Sequence, residues 1–336
     1  MLGIFTLPVR YTEFMPELPE VETVRVGLVR LLPNREISSV IVHDSPKSFP
    51  NNEGDVSQFM IGAKVGEVRR RGKSLIIELS SGYVLFIHLK MTGQLVFVAN
   101  RQKQDHGSES LELGKAANEE SSKLHKADEV RFGAGHPNDS LVGPLPDRST
   151  RVTIGFSDGS HLYFNDQRKF GWIKLLPGNL LAEHEFIKKL GPEPLEDTFT
   201  PQVFIERIRR RANTSVKAAL LDQTVVAGVG NIYADESLWG AKIHPAQLVK
   251  NVSDEKLWLL HKELVYVLKL SIEKGGSTDK NYVDAEGKKG SYLKFARVFR
   301  REKLPCPRCD SIIEKSRVAG RGTHTCPACQ KVSRQK

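Results

Sequence analysis

The four cysteines near the C-terminal end constrain the fold more than any other feature of the chain. They form the pairs CPRC (Cys306, Cys309) and CPAC (Cys326, Cys329), with sixteen residues between the pairs. Two residues between paired thiolates let both sulfurs face one tetrahedral ion, and sixteen residues suit a β-hairpin that returns the second pair. Two disulfides are the alternative, and the absence of a secretory signal disfavours them. The spacing predicts a ribbon closed around one structural Zn²⁺.

The ribbon region is strongly basic. The chain has a net charge of +10, and the segment from Arg297 to the end holds eleven Lys or Arg and three Asp or Glu. Such a concentration indicates a polyanion partner, with solubility or attraction to a membrane surface as alternatives. No amphipathic basic helix supports the membrane alternative. Arg317 and Arg321 lie near the tip of the predicted hairpin, where they suit either phosphate contact or plain solvation.

The N-terminal half predicts one helix followed by a β-sandwich or barrel. Apolar residues from Val21 to Leu31 recur with the helical period, and Pro19 suits a first turn, so a helix is expected over about 19–32. Short β-branched and aromatic runs separated by turn signals follow: EISSVIVHD, KSLIIELS, YVLFIHL, QLVFVA, RVTIGFSDG, HLYFND and WIKLL. Residues 100–150 are polar and lack a period, so we expect a disordered surface insertion, with a functional lid as the alternative.

From Ala182 onward the pattern is helical, and two of the predicted helices flank the segment TVVAGVGNIYADE. Gly228 and Gly230 permit a left-handed or closely approached backbone. Asn231 then lies at a helix N-terminus, where amide donors favour an anion. The basic run 209–211 and Lys217 precede this turn, so we expect a DNA phosphate there. A helix, a glycine turn and a second helix are also the arrangement of helix-turn-helix proteins.

A series of motifs runs from Met15 to about Gln330, apart from the insertion: MPELPEVET, RRRGKSL, HLKMTGQL, DQRKFG, LGPEPL, VVAGVGNIYADESL, IHP, IEKGGST and the four-cysteine ribbon. In this order they resemble the bacterial formamidopyrimidine-DNA glycosylases. The resemblance implies an α+β protein with a catalytic domain over 15–178, in which an N-terminal helix precedes a two-layer β-sandwich. A helix-two-turn-helix domain over 179–296 and a zinc finger with a basic tail over 297–336 would complete it.

The resemblance also implies an activity and a setting. Members of this family excise oxidised purines, such as 8-oxoguanine and formamidopyrimidines, from damaged double-stranded DNA and then cleave the abasic site by β,δ-elimination. We therefore expect a monomeric, cytoplasmic and nucleoid-associated enzyme without a membrane partner. An oxidised-pyrimidine glycosylase similar to endonuclease VIII is the alternative within the class, although such relatives usually read PEGPE. A catalytically silent DNA binder is the alternative outside it.

The expected chemistry centres on an amine that attacks C1′ of the damaged nucleotide and forms an iminium. An N-terminal proline suits this role because an α-amino group has a pKa of about 8, against about 10.4 for lysine. The resemblance implies that Pro16 is this nucleophile and that Glu17 is the general acid. It also implies that Lys73 reaches the phosphate and sugar at the active site. Asn231 and Arg321 would bind phosphate.

A base inside a duplex must be flipped out before the enzyme reaches it, and the space left behind must be filled. The resemblance implies that Met91 and Phe170 enter the stack while Arg168 bonds the orphaned cytosine. Lys169 stands where relatives commonly have arginine, which permits a phosphate contact but not a bidentate one. The loop after Gly276 resembles the family's lesion-capping loop only loosely.

The position of Pro16 raises a question about the start of the protein. An internal proline is locked in a tertiary amide and has no nucleophilic lone pair. Translation from Met15, followed by removal of that methionine, would expose the amine. We therefore expect that residues 1–14 are a non-native extension.

Overall fold

The computed structural model describes residues 15–100, 129–135, 139–277 and 291–332. It begins with helix α1 (Leu18–Leu31), which confirms the predicted N-terminal helix. Three expected features lie wholly or partly outside the described residues: the extension over 1–14, the predicted insertion at residues 101–128 and 136–138, and the loop after Gly276 at residues 278–290.

Two antiparallel sheets follow α1 and form the predicted sandwich. One sheet has five strands in the order β1-β7-β8-β5-β6, and the other has four in the order β2-β3-β4-β9. The bounds are β1 (Ile37–Val42), β2 (Val65–Arg71), β3 (Ser74–Leu79), β4 (Tyr83–His88), β5 (Gly93–Asn100), β6 (Glu129–Gly135), β7 (Thr150–Phe156), β8 (His161–Asp166) and β9 (Trp172–Pro177), with helix α2 (Glu53–Phe59) between β1 and β2.

Helix α1 packs against this sandwich and shares its core. Val24 and Leu28 of the helix are fully buried with Phe97 and Phe132 of the five-stranded sheet. At Gly27 an added Cβ would lie 2.2 Å from the Phe132 ring, so only glycine allows this close approach of helix and sheet. The helix that begins beside Glu17 is therefore held rigidly on the sandwich.

The predicted insertion over 100–150 is wrong in its second half. Strand β6 pairs antiparallel with β5 from Gln94↔Gly135 to Asn100↔Glu129, so it is an integral edge strand of the sandwich. Phe132 and Ala134 are buried in the core. Alternation of apolar and polar residues in EVRFGA is a strand signal, but the polar sequence on both sides hides it. Strand β2 was also missed, because VGEVRRR is rich in charge.

The C-terminal part is helical, as expected from the sequence. It contains α3 (Glu185–Lys188), α4 (Pro201–Arg209), α5 (Val216–Leu221), α6 (Asn231–Gly240) and α7 (Asp254–Glu273), followed by the hairpin β10 (Glu314–Val318) and β11 (Arg321–Thr325). Side-chain oxygens of Thr200, Ser215 and Ser253 accept backbone hydrogen bonds at the starts of α4, α5 and α7 and so define these ends. Within the described ranges, no helix has the length and apolar character needed to cross a membrane.

Candidate active site

The site lies where the start of α1 meets the start of α6. The Glu17 carboxylate lies over the N-terminus of α6, where its Oε1 accepts a hydrogen bond of 3.0 Å from the Ile232 amide. The next amide of the chain, that of Leu18, donates to the Gly228 carbonyl at 3.0 Å. Pro16 precedes Glu17 and is itself buried. The structure thus brings the two residues predicted as nucleophile and acid to the boundary between the two domains.

The glycines of the GVGN turn make this approach possible. Gly228 has a φ of +83°, and an added Cβ there would lie 2.6 Å from the Leu18 side chain. At Gly230 an added Cβ would lie 2.2 Å from the carboxyl carbon of Glu17. Both positions therefore require glycine because α1 begins against them. The sequence predicts a phosphate site at this turn. The structure adds a second role, because the glycines also make room for the Glu17 side chain.

The environment of Glu17 favours its protonated form near neutral pH. Glu17 is only 4% exposed, and burial raises the pKa of its carboxyl to about 7, against an opposing effect of the nearby Lys73 ammonium. Its second oxygen, Oε2, is buried without a hydrogen-bond partner among the described residues. A carboxyl with one anchored oxygen and one unpaired oxygen can hold a proton and deliver it.

Lys73 shares this buried cluster. It is 6% exposed, and burial lowers the pKa of its ammonium although the Glu17 and Glu20 carboxylates oppose the shift. The Arg321 guanidinium contributes to the same lowering, so the ribbon arginine lies near Lys73. Lys73 is therefore influenced electrostatically by both Glu17 and Arg321, which come from distant parts of the chain.

Glu20 is a site residue that the sequence analysis missed. Its Oε2 accepts from the Glu17 amide at 3.0 Å. Its Oε1 accepts from the Tyr233 hydroxyl at 2.7 Å and from the Ser277 amide and hydroxyl at 2.9 and 2.7 Å. Glu20 thus joins the start of α1 to α6 and to the last residue described before 278. The spacing E-x-x-E in PELPE, which is typical of a helix N-terminus, was the available signal.

Asn231 and the ribbon form the other side of the site. The Asn231 amide donates to the Gly322 carbonyl at 3.0 Å, which places it beside Arg321 at the start of β11. Arg321 is exposed and projects from the hairpin that the sequence predicted. Asn231 and Arg321, the residues expected to bind phosphate, therefore lie next to each other across the contact with Gly322.

The prediction that Lys217 binds a DNA phosphate is wrong. Its side chain is fully buried, and its Nζ lies 2.6 Å from Asp235 Oδ1. The same ammonium donates to the Gly322 carbonyl at 3.0 Å and to the Thr323 hydroxyl at 2.7 Å. A buried ammonium with a full set of acceptors is satisfied within the protein. Lys217 instead fastens α5 and α6 to the strand that begins with Arg321.

The residues predicted to fill the DNA stack lie on two neighbouring turns. Met91 is half-buried in the turn before β5, whereas Arg168 and Phe170 are exposed in the turn after β8. Asp166 joins the turns: its Oδ1 accepts from the Thr92 hydroxyl and, at 3.1 Å, from the Arg168 amide. The Arg168 guanidinium carbon lies 5.0 Å from the centre of the Phe170 ring. The structure therefore brings together the two turns that carry the three predicted residues.

Lys169, between these residues, has a different partner. Its Nζ lies 3.0 Å from a carboxylate oxygen of Asp44, which is largely exposed. An exposed pair of this kind is weak, so a phosphate could displace Asp44 at small cost. The predicted phosphate contact by Lys169 stays a prediction.

The four cysteines converge as the spacing predicts. The sulfurs of Cys306, Cys309, Cys326 and Cys329 all lie within 4.8 Å of one another. Four thiolates at such separations fit one tetrahedral Zn²⁺ without an open position, so the zinc is structural. The indole N–H of Trp239, near the end of α6, donates to Cys306 Sγ at 3.4 Å and ties the zinc site to the helix that begins at the active site.

A β-sandwich, a helical domain and a zinc ribbon meet around a buried carboxyl group and basic side chains, an arrangement that suits a DNA-processing enzyme. Family models agree: residues 15–135 match the formamidopyrimidine-DNA glycosylase N-terminal domain and residues 190–282 its H2TH domain. Residues 303–332 match the zinc finger found in FPG and IleRS. The chain belongs to the formamidopyrimidine-DNA glycosylase family, whose members are DNA repair glycosylases with abasic-site lyase activity.

Individual relatives support this assignment over nearly the whole chain. The formamidopyrimidine-DNA glycosylase of Pelotomaculum thermopropionicum is 38% identical over 95% of this chain and 100% of the relative. That of Pediococcus pentosaceus is 37% identical over 94% and 99%. Among solved structures, a complex of Lactococcus lactis Fpg with abasic-site DNA has a TM-score of 0.74 at 30% identity, covering 94% of this chain and 99% of that one. A complex of MutM with DNA containing carbocyclic 8-oxo-G has a TM-score of 0.73 at 32% identity, covering 94% and 100%.

Proposed function

We propose that this protein excises oxidised purines from duplex DNA and cleaves the resulting abasic site, with Pro16 as nucleophile and Glu17 as proton donor. The observation that carries the proposal is the buried Glu17 carboxyl, which adjoins Pro16 in sequence, lies beside Lys73 and has a pKa of about 7. A carboxyl that stays protonated near neutral pH is suited to general-acid catalysis.

The proposed chemistry runs in two stages. Glu17 gives its proton to the sugar ring oxygen and the Pro16 amine attacks C1′, while the damaged base leaves with the electrons of its glycosidic bond and takes up the proton that the amine loses. Ring opening produces an iminium between Pro16 and C1′. A proton is then removed from C2′, and the electrons left on carbon expel the 3′ phosphate. A second elimination releases the 5′ phosphate, and water frees the enzyme.

The surrounding residues hold the DNA for these steps. Lys73 contacts the phosphate and sugar of the flipped nucleotide, while Asn231 and Arg321 bind neighbouring phosphates. Met91 and Phe170 fill the vacated position in the stack, and Arg168 hydrogen-bonds the unpaired cytosine. Support for this assignment comes from the convergence of both turns through Asp166 and from the link between Asn231 and the ribbon.

The three proposed units are the catalytic domain over 15–178, the DNA-binding domain over 179–296 and the zinc finger over 297–336. We further propose that the enzyme acts as a monomer and works in the cytoplasm on nucleoid DNA.

A lesion panel tests the proposal. Protein that begins at Pro16 is incubated with duplexes carrying 8-oxoguanine opposite cytosine, a formamidopyrimidine, thymine glycol or a preformed abasic site. We expect strand cleavage at the two purine lesions and at the abasic site, and much slower cleavage at thymine glycol. Preference for thymine glycol would assign the protein to oxidised pyrimidines. Binding without cleavage of any duplex would make it a silent DNA binder.

A further inference from the structure

Lys73 lies at the tip of a hairpin that is hydrogen-bonded to residues 190–193 of the C-terminal domain, chiefly through the buried carboxylate of Glu193. Strands β2 and β3 pair up to Arg71↔Ser74, so Gly72 and Lys73 form a two-residue turn. Gly72 is the left-handed residue of this turn, with a φ of +56°. Because Lys73 directly follows Gly72, the position of the Gly72 backbone determines where the Lys73 side chain begins.

Three donors at this tip converge on Glu193. Its Oε2 accepts from Arg70 Nη1 at 2.7 Å, and its Oε1 accepts from Arg71 Nη1 at 2.9 Å and from the Gly72 amide. Glu193 is only 4% exposed. Although burial raises the pKa of its carboxyl, the Arg70 charge and the Gly72 amide outweigh this and hold the pKa below its ordinary value. Glu193 is therefore an anion that accepts a hydrogen bond from the backbone amide of Gly72, next to Lys73.

Glu193 itself belongs to the other domain. It lies between Pro192 and Pro194, which restrict the backbone on both sides. The Pro192 carbonyl accepts from the Ala227 amide at 3.0 Å, and the Gly191 amide donates to the Gln223 carbonyl at 2.7 Å. The carboxylate is thus anchored on the segment that leads into the GVGN turn, which packs against Glu17.

We propose that Glu193 is a positioning residue for catalysis: by fastening the tip of the β2–β3 hairpin to the C-terminal domain, it sets Lys73 beside Glu17. This inference rests on the proposed function, because it assumes that Lys73 acts on the DNA sugar and phosphate. Arg70 Nε also lies 2.9 Å from Oε2 of Glu22 on α1, but the Gly72 amide donates to Glu193. Glu193 is therefore the carboxylate that bonds the backbone beside Lys73.

The variant Glu193→Gln tests this role because it keeps the size of the side chain and removes its charge. Single-turnover rates are measured on 8-oxoguanine and abasic-site duplexes, and affinity is measured on a duplex with a tetrahydrofuran abasic analogue. We expect the rates to fall on the order of 10- to 100-fold, as for a small misplacement of a catalytic group, with little change in affinity. We also expect the alkaline limb of the pH profile to move to higher pH, because a displaced Lys73 no longer lowers the pKa of Glu17.

The variant Glu22→Gln is the matched control, since Glu22 also bonds Arg70 but does not touch Gly72. We expect its rates to stay near those of the unaltered protein. Arg71→Lys is a second, milder probe that keeps the charge but loses the forked geometry. It should lower the rates in the same direction as Glu193→Gln. Zinc content and melting temperature of each variant verify that the fold is intact.

The decisive comparison places Glu193→Gln in a Lys73→Ala background. If Glu193 acts through Lys73, the double variant is no slower than Lys73→Ala alone. A full additional loss in the double variant, or unchanged rates in Glu193→Gln alone, would overturn the inference. Full activity of Lys73→Ala would instead refute the role of Lys73 in the proposed function, so the two failures are distinguishable.

Discussion

Replacement of Glu17 by glutamine should make the stability of the protein less dependent on pH. Burial raises the pKa of Glu17 from 4.5 to about 7. The folded state therefore binds this proton more tightly than the unfolded state. The stability that results is fully present below the pKa that Glu17 has in the unfolded chain, and it is lost as pH rises through the pKa that Glu17 has in the folded protein. A pKa shift of this size corresponds to a difference of about 3 kcal/mol in the free energy of unfolding between the acidic and alkaline limits. Glutamine does not titrate, so the variant lacks this loss.

Calorimetric unfolding of the two proteins from about pH 5 to about pH 8.5 checks this expectation. In the Glu17→Gln variant the new amide group replaces the unpaired Oε2 and adds a constant cost of about 1–3 kcal/mol if it stays unbonded. The informative quantity is therefore the change with pH: the variant gains stability relative to the original protein as pH rises from about 5 to the folded pKa of about 7, and the difference levels off above it. Glu67→Gln, an exposed site on β2, is the control for the same chemical change. A stability difference that is flat across this range would refute the argument that Glu17 is protonated in the folded protein.

Three further predictions follow from the site. Base excision should reach its maximum between the pKa of Glu17, about 7, and that of a free α-amino group, about 8, and decline at higher pH because Glu17 loses the proton it delivers. A rate that keeps rising to about pH 9 would exclude Glu17 as the acid. Lys217→Met should lower the free energy of unfolding by about 3–5 kcal/mol, because Asp235 stays buried without its cation. The double variant Lys217→Met/Asp235→Leu should recover part of the melting temperature, and a Lys217→Met protein as stable as the original would contradict the claim that this ion pair is buried. Gly230→Ala should abolish excision while zinc content stays intact, because the new Cβ would lie 2.2 Å from the Glu17 carboxyl carbon; normal excision rates would show that Glu17 can move without loss.

The parts of the fold that the sequence predicts are those with a strong local signal. Helix α1 and the helical segments of the C-terminal half show apolar periodicity and capping residues, and the ribbon has a fixed ligand spacing. Strands β2 and β6 were not predicted, because their charged residues face solvent or form ion pairs and hide the alternation of apolar and polar residues. Their place is decided by pairing with distant strands, which a local pattern does not record.

Within the site, the sequence identifies residue types but not which of them become buried. Lys217 looked like a phosphate ligand because it follows an arginine run, yet Asp235 and Thr323 take up its ammonium. No local pattern marks Glu193 as a site residue, because Arg70, Arg71 and Gly72, which it bonds, come from another part of the chain. Long-range contacts of this kind appear only when the chain has folded.

The central claim, that Pro16 is the nucleophile, is tested most directly by trapping the iminium. Protein that begins at Pro16 is mixed with duplex DNA containing 8-oxoguanine opposite cytosine, borohydride is added, and the cross-linked peptide is mapped by mass spectrometry. We predict one covalent adduct at the Pro16 nitrogen, and none with protein in which residues 1–14 remain attached. An adduct at Lys73, or equal trapping by the longer protein, would contradict the claim.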